Sequence, residues 1–495
     1  MSLSALSPNK IAEICNGYWL NDKIPDFALH RAVIDSREVT ANSLFIALQG
    51  AQTDGHEFLA SLAGGKLHAA MVKTPNAKID LPQLCVGDVE KAFQGLAEYI
   101  AHHTRAAKIA ITGSVGKTGT KDMIAEMLQK AGKVHATKGN LNNHLGVPLT
   151  LSSLVEDTDF LVTEMGMNSA GEINFLSNIV RPNIAIITRI SNAHAGFFNN
   201  LSEIAEAKSE IFLGTDAFGV AILPRDDEFY GQLAGSARLS GLKTIISFGR
   251  DKDSTIRLER MVAGKAGTNS LEIEASLPQS GTQGGRQHIH FTLGMRAEHY
   301  AMNALCALAT AYALKLDLDA LLSGFATMQE SDGRGRKHQL AHAGSELCLI
   351  DDSYNASPAS MQAALDAAAS HDAKHLLIIA SDMLELGEVG LDEHLRLAPS
   401  IAATGAKSVL GIGPFMQACC AELPAALQTG CFTDADSLIA SLDADLTSLI
   451  GDADLILVKG SHGSGAYKVS HYLINRLSLQ HNGPSTPEGG VFHAA

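Results

Sequence analysis

No CxxC pair occurs in this chain, and its seven cysteines (15, 85, 306, 348, 419, 420 and 431) are odd in number and scattered. Neither a zinc framework nor a disulfide scaffold is indicated. Positive charge is also scarce: 38 Lys and Arg face 53 Asp and Glu, for a formal net charge of −15. A general nucleic-acid or membrane-surface binder would show the opposite balance. An anionic small substrate needs only a few local cations and stays open. No apolar run approaches a membrane span, and the start "MSLSALSPNKIAEICNGYWL" lacks a basic segment followed by an apolar core. Internal repeats, heptads and low-complexity tracts are missing too. The expectation is a soluble cytoplasmic protein with no nucleic-acid partner and no membrane span.

What is present is length and apolar content: 495 residues, 46% hydrophobic and 18% charged, enough for two to four globular domains. Residues 1–106 hold short strand-like runs such as "SLFIAL" (43–48) and "HAAMV" (68–72), with no nucleotide loop, as in a small substrate-binding module. From Lys108 the runs "KIAIT" (108–112), "FLVTE" (160–164), "IAIIT" (184–188) and "VAILP" (220–224) read as buried parallel strands with helices between them. A softer stretch at 251–290 predicts hairpin loops at one edge of this middle domain. A third α/β series, "LCLID" (347–351), "LLIIA" (376–380), "SVLGI" (408–412) and "DLILV" (454–458), begins after the glycine- and charge-rich "ESDGRGRKHQ" (330–339). The tail is rich in Gly, Pro and Ser and is expected to fray.

"ITGSVGKTGTKDM" (111–123) carries the first chemistry. Backbone N–H groups of a glycine turn that opens a helix make a partly positive cradle for phosphate. Lys117 adds a full charge for the outer phosphates, and the Thr118 hydroxyl can ligate Mg²⁺. The usual GxxxxGK[ST] loop needs glycine at 111, where Ile111 stands, so this loop is a shortened GxxGKT. Glu164 ends one strand and His194 follows another. With Thr118 they would bring hydroxyl, carboxylate and imidazole to one sheet edge. Lys208, in "LSEIAEAKSEIFLG", is by default a solvated helix lysine among glutamates. The sharper reading is a lysine that reacts with CO₂ to give an anionic carbamate.

The ordered set of segments resembles the Mur ligase family of peptidoglycan amide ligases, over nearly the whole chain except the tail. The segments are "DSREVTANSLFIALQGAQTDGHEF" (35–58), "TKGNLNNHLGVPLTL" (137–151), "TEMGMNSAGEI" (163–173), "AHAGFF" (193–198), "AKSEIF" (207–212), "HYAMNALCALA" (299–309), "GRGR" (333–336), "SDMLELG" (381–387) and "VKGSHGSG" (458–465). "IDDSYNASPASM" (350–361) is similar to the member type that adds D-alanyl-D-alanine.

The resemblance implies an α/β fold in three domains. A small N-terminal substrate module (1–106) would bind the UDP-MurNAc-peptide. A central P-loop-type parallel-sheet domain (107–331) would bind ATP, and a Rossmann-like C-terminal ligase domain (332–480) would precede the tail (481–495). It implies ATP-dependent joining of D-Ala-D-Ala to UDP-MurNAc-tripeptide through an acyl phosphate, by a monomer, with Mg²⁺. Lys117, Glu164, His194 and Lys208 would be catalytic, and Thr118, Glu164, His194 and a carbamylated Lys208 would hold metal. ATP would meet Gly113, Ser114, Val115, Gly116, Lys117, Thr118, Gly119, Asn303, Arg334, Asp351 and Asn355. The uridine substrate would meet Asp35, Ser36, Arg37, Asp54, Gly55 and His56. The peptide would meet Asn142, Asn143, Tyr354, Lys459 and Ser461.

Three positions depart from the family pattern: Arg189 and "PRDD" (224–227), each where Asn is usual, and His462 where Arg is common. A sister enzyme such as folylpolyglutamate synthase would lack "DSYNA" and the N-terminal module. A switch or motor NTPase would leave the third domain unexplained.

Overall fold

The computed structural model describes residues 1–50, 53–64, 68–191, 198, 200–265, 269–279, 285–384 and 386–481. The fold is mixed α/β with three sheets, and the chain divides into two compact units between Met328 and Gln329. The expected frayed tail lies outside the described residues, apart from His481, which closes helix Ala466–His481. Among the described residues no helix is long and apolar enough to cross a membrane.

In the first unit a five-stranded sheet runs in the order Tyr18–Trp19, Gln83–Cys85, Ala69–Val72, Ser43–Ile46, Arg31–Val33. Only its first pair is antiparallel. Ser43–Ile46 and Ala69–Val72 are buried at every residue, which is why they read as apolar runs and not as an alternating pattern. Helix Val89–His103 starts at Asp88, whose side chain accepts the Lys91 N–H. It buries Val89, Phe93, Leu96, Ala97 and Ile100 along one stripe. The helix packs against Gly146–Ser152 and Glu172–Val180, so one core runs from Leu44 and Met71 through Phe93 to Leu176 and Phe212.

The second sheet has nine strands. Its order is Arg286–Leu293, Leu271–Pro278, Ile256–Ala263, Thr244–Gly249, Val220–Pro224, Ile184–Ile187, Ala107–Thr112, Phe160–Glu164, Val134–Ala136. Pairing is parallel up to Ile256–Ala263 and antiparallel beyond it. The stretch expected to hold hairpin loops therefore contributes three long strands, whose alternating pattern (buried Ile273 and Ala275, exposed Glu272) suits a sheet edge with one wet face. Ala107–Thr112 lies between Phe160–Glu164 and Ile184–Ile187, so the loop after it leaves from an interior parallel strand.

The second unit carries a six-stranded sheet in the order Arg336–His342, Ser345–Asp352, Leu455–Lys459, Leu376–Ser381, Ser408–Ile412, Gln428–Phe432. Its first pair is antiparallel and the rest are parallel. Helix Pro358–Ala369 begins with a reciprocal capping box between Ser357 and Ser360.

Phe93 is 0% exposed in the core that joins the first two sheets. Phe93→Ala should cost about 3–5 kcal/mol and loosen both sheets together. Urea unfolding with hydrogen exchange checks this; loss of protection in the N-terminal sheet alone would contradict the shared core.

Candidate active site

Strand Ala107–Thr112 ends in Gly113-Ser114-Val115-Gly116, and helix Lys117–Leu128 begins at once. Gly113 has φ +152°, and a Cβ there would overlap the Thr188 hydroxyl. Gly116, the N-cap, has φ +82° and, having no side chain, caps none of the first-turn N–H groups. The loop rests on its neighbouring strand: Thr188 Oγ1 donates to Val115 O at 2.6 Å, and Ser114 N–H donates to Arg189 O at 2.7 Å. The Ser114 hydroxyl is buried, with no hydrogen-bond partner among the described residues. An uncapped helix start beside an orphaned hydroxyl fits a phosphate group. Lys117 Nζ donates to Gly113 O at 2.8 Å and to Ser114 O at 3.4 Å, lying back over its own loop. Val115 is exposed at the loop's crest.

Glu164 ends its strand only 2% exposed. Thr118 Oγ1 donates to Glu164 Oε2 at 2.7 Å, and Asn142 Nδ2 donates to Oε1 at 2.8 Å. The backbone N–H of Glu164 donates to Thr137 Oγ1 at 3.1 Å. A hydroxyl and a carboxylate oxygen side by side form a hard donor set of the kind Mg²⁺ takes. His194 lies outside the described residues. Among those described, no group of three or more His, Cys, Asp or Glu forms a metal cluster. Lys208, in helix Leu201–Ser209, is 1% exposed, not solvated. Burial, reinforced by the Lys117 charge, holds its ammonium well below the usual lysine range. A neutral amine is the form that attacks CO₂.

Asn303, 7% exposed on helix Glu298–Ala313, accepts from Thr120 Oγ1 at 3.1 Å. A Cβ on Gly119 would come 3.0 Å from Asn303 Nδ2, so the missing side chain lets the two helices meet at the loop. Asn143 Oδ1 accepts the N–H groups of Leu145 and Gly146, which makes it a turn and helix-start residue.

In the N-terminal sheet, Asp35 accepts from Arg37 N–H at 2.9 Å and pairs with its guanidinium at 2.6 Å, at the start of the short helix Ser36–Glu38. The Arg37 side chain is 88% exposed. His56 is spent internally: Nδ1 faces Asp54 Oδ1 at 2.7 Å, and Nε2 accepts N–H groups of Lys73 and Thr74. Gly55 allows close approach, since a Cβ would sit 2.9 Å from the backbone of Ala47 and Leu48.

In the second unit Asp351, 1% exposed, accepts Gly333 N–H at 2.8 Å and the Ser353 hydroxyl at 2.5 Å. These bonds hold the Gly-Arg turn against the start of "DSYNA". Arg334 stacks on the Tyr354 ring at 4.0 Å. Lys459 turns inward, with Nζ 2.9 Å from Asp352 Oδ2 and 2.8 Å from Asn355 O. Ser461 Oγ accepts Leu384 N–H at 2.9 Å. Neither side chain is on the surface; Asn355 and His462 are.

Thr188, Thr137 and the buried Lys121, whose Nζ donates to Thr137 O at 2.7 Å, were not among the residues expected from sequence. Their signal was position: Thr188 closes "IAIIT", and Thr137 opens "TKGNLNN".

A glycine loop that opens a helix after an interior parallel strand, next to a buried hydroxyl–carboxylate pair, defines a phosphate-loop enzyme of the α/β class. Comparison with known proteins narrows this. Residues 111–311 match the Mur ligase middle domain, and residues 335–462 match the Mur ligase, glutamate ligase domain. The chain is 32% identical over 465 residues to the UDP-N-acetylmuramoyl-tripeptide–D-alanyl-D-alanine ligase of Escherichia coli, covering 92% of this chain and 95% of that one. It is 32% identical to the enzyme of that name from Rickettsia prowazekii, covering 88% and 94%. A crystal structure of MurF from Acinetobacter baumannii superposes with TM-score 0.79 at 28% identity, covering 95% and 98%. The chain belongs to the Mur ligase family.

The depressed ammonium of Lys208 has a thermodynamic signature. Below about pH 10.4 the unfolded chain protonates this lysine while the folded chain does not, so stability falls as pH falls through the window down to the folded value. Lys208→Met removes that contribution. In CO₂-free buffer the stability of wild type should rise more steeply between pH 7 and 10 than that of Lys208→Met; equal slopes would mean the ammonium is not depressed.

Proposed function

We propose that the chain is an ATP-dependent amide ligase that joins D-alanyl-D-alanine to UDP-N-acetylmuramoyl-tripeptide in the cytoplasm. The observation that carries the chemistry is the uncapped loop with its orphaned Ser114 hydroxyl, standing beside the Thr118–Glu164 pair. The substrates follow from likeness to ligases of that name over most of both chains, together with "DSYNA" after Asp351.

A carboxylate and an amine do not condense usefully in water, so the carboxylate must first gain a leaving group. ATP supplies it: the γ-phosphoryl passes to the C-terminal carboxylate of the tripeptide, giving an acyl phosphate and ADP. The dipeptide amine then attacks the acyl carbon, loses its proton, and phosphate departs. The protein's part is positioning and charge. The loop N–H groups of 115–119 and the Ser114 hydroxyl hold the phosphates, and Lys117 leaves its loop carbonyls to meet the transferred group. Thr118 and Glu164, joined by His194 and a carbamylated Lys208, would hold Mg²⁺, which would supply positive charge to the phosphoryl oxygens. The remaining proposed ATP contacts are Asn303 in the first unit and, in the second, Arg334 and Asn355, with Asp351 fixing the turn that carries Arg334.

Within this reading, residues 1–106 bind the uridine nucleotide through Asp35, Ser36 and Arg37, with Asp54, Gly55 and His56 shaping that surface. Residues 107–331 serve ATP and 332–480 the acceptor. Asn142 and Tyr354 face the peptide, while Asn143, Lys459 and Ser461 act by holding the segments that do.

ADP release should require both UDP-MurNAc-tripeptide and D-Ala-D-Ala, and the product should gain the dipeptide. Rapid acceptor-independent hydrolysis would sink the assignment. Lys117→Ala should lose roughly 3 kcal/mol or more of transition-state stabilisation in a folded chain.

The carbamate has its own test. Lys208→Ala should be nearly inactive and partly restored by a small added carboxylate, and Lys208→Arg should stay inactive. Near-normal activity in the Arg variant would show that a plain cation suffices.

A further inference from the structure

Two carboxylates stand together in the turn "PRDD" (224–227), at the C-terminal end of strand Val220–Pro224. Past the end of a parallel strand the ladder bonds run out, and backbone N–H groups need other acceptors. Asp227 supplies two. Its Oδ2 accepts Ile190 N–H at 2.9 Å, just beyond strand Ile184–Ile187, and its Oδ1 accepts Phe229 N–H at 2.9 Å. Asp226 serves the opposite neighbour, accepting Arg250 N–H at 2.7 Å and Asp251 N–H at 2.8 Å beyond strand Thr244–Gly249. One turn thus fastens three strand ends.

The two sides differ in what they support. Residues 188–190 underlie the phosphate loop, through the Thr188 hydroxyl on Val115 O and the Arg189 carbonyl under Ser114 N–H. The Asp227 bond to Ile190 is one residue from that support. The Asp226 bonds end past strand Thr244–Gly249, two strands further from the loop than Ile184–Ile187, and among the described residues Arg250 and Asp251 make no bond to the loop. A bare carboxylate near bound phosphates would repel them, but both Asp227 oxygens already face backbone donors. Its influence therefore passes through the backbone and not through contact with the nucleotide.

We infer that Asp227 is a positioning residue for nucleotide binding: it fixes the 188–190 backbone, and with it the Arg189 carbonyl that holds Ser114 and the placement of the Ser114 hydroxyl. The inference rests on the reading of 113–118 as a phosphate site.

The test is calorimetric titration of the full-length chain with Mg-ATP, with KM for ATP and for D-Ala-D-Ala measured alongside. Asp227→Ala should weaken ATP binding roughly tenfold, the scale of one lost charge-assisted bond, and raise KM for ATP in parallel. KM for the dipeptide should stay within about twofold, which a general loss of structure would not spare. Asp227→Asn keeps one acceptor oxygen and should recover part of the affinity. Asp226→Ala should bind ATP like wild type. Wild-type ATP affinity in a folded Asp227→Ala chain, or in Asp227→Asn with no intermediate loss should the Ala variant not fold, overturns the inference. So does an equal loss in Asp226→Ala. A wild-type chain that fails to bind Mg-ATP overturns the phosphate-site reading itself, a separate result.

Discussion

The seating of one buried acid sets the geometry of the first unit. Taking a carboxylate out of water is expensive unless donors replace the lost hydration. Glu164 meets that demand with two donors, the Thr118 hydroxyl and the Asn142 amide, while its backbone N–H donates to the Thr137 hydroxyl oxygen. These partners sit on a helix, a turn and a strand end that are far apart in sequence. They converge only because Ala107–Thr112 lies beside Phe160–Glu164, and Val134–Ala136 lies on the other side of Phe160–Glu164. Strand order, helix start and acid are therefore one constraint.

A second constraint is charge of one sign. Lys117 and Lys208 are close enough for the first to depress the second, and Lys208 is buried as well. Lys117 donates to the carbonyls of its own loop. The Lys117 ammonium and an uncapped helix N-terminus favour an anion on electrostatic grounds. Converting the neutral Lys208 amine to a carbamate would add a negative charge beside them and make the side chain a metal donor. The two readings of this lysine differ in charge, not in place.

Much of this was legible in the sequence, for a physical reason. Strands buried on both faces must be continuous apolar runs, so "KIAIT", "FLVTE" and "IAIIT" announced themselves, and the GSVGKT turn between strand and helix marked the loop. The edge strands Ile256–Ala263, Leu271–Pro278 and Arg286–Leu293 did not stand out, because one wet face mixes Arg, Glu and His into the pattern. Lys208 read as solvated because "AEAKSE" is polar, yet helix Leu201–Ser209 turns Lys208 inward and leaves Glu203 and Glu206 out. Residue type gives chemistry; only packing gives direction.

That distinction governs how the motif residues divide their labour. Asp54 with His56, Asp351 with Ser353, and Lys459 with Asp352 each close a contact inside the protein. Their partners are largely backbone groups of turns, so their first effect is to fix loop shape. The side chains left on the outside of those turns are others: Arg37 beside Asp35, Asn355 after Tyr354, and His462, whose ring stacks on Tyr467 at 4.4 Å and faces Tyr354 at 5.7 Å. A ligand meets the outward set first and feels the inward set through the backbone. Substituting an inward residue should therefore disturb several contacts at once, whereas an outward residue can change alone and alter which ligand is preferred. The departure at His462 is of that second kind: it alters the surface of a segment whose internal anchors, Lys459 and Ser461, hold its shape.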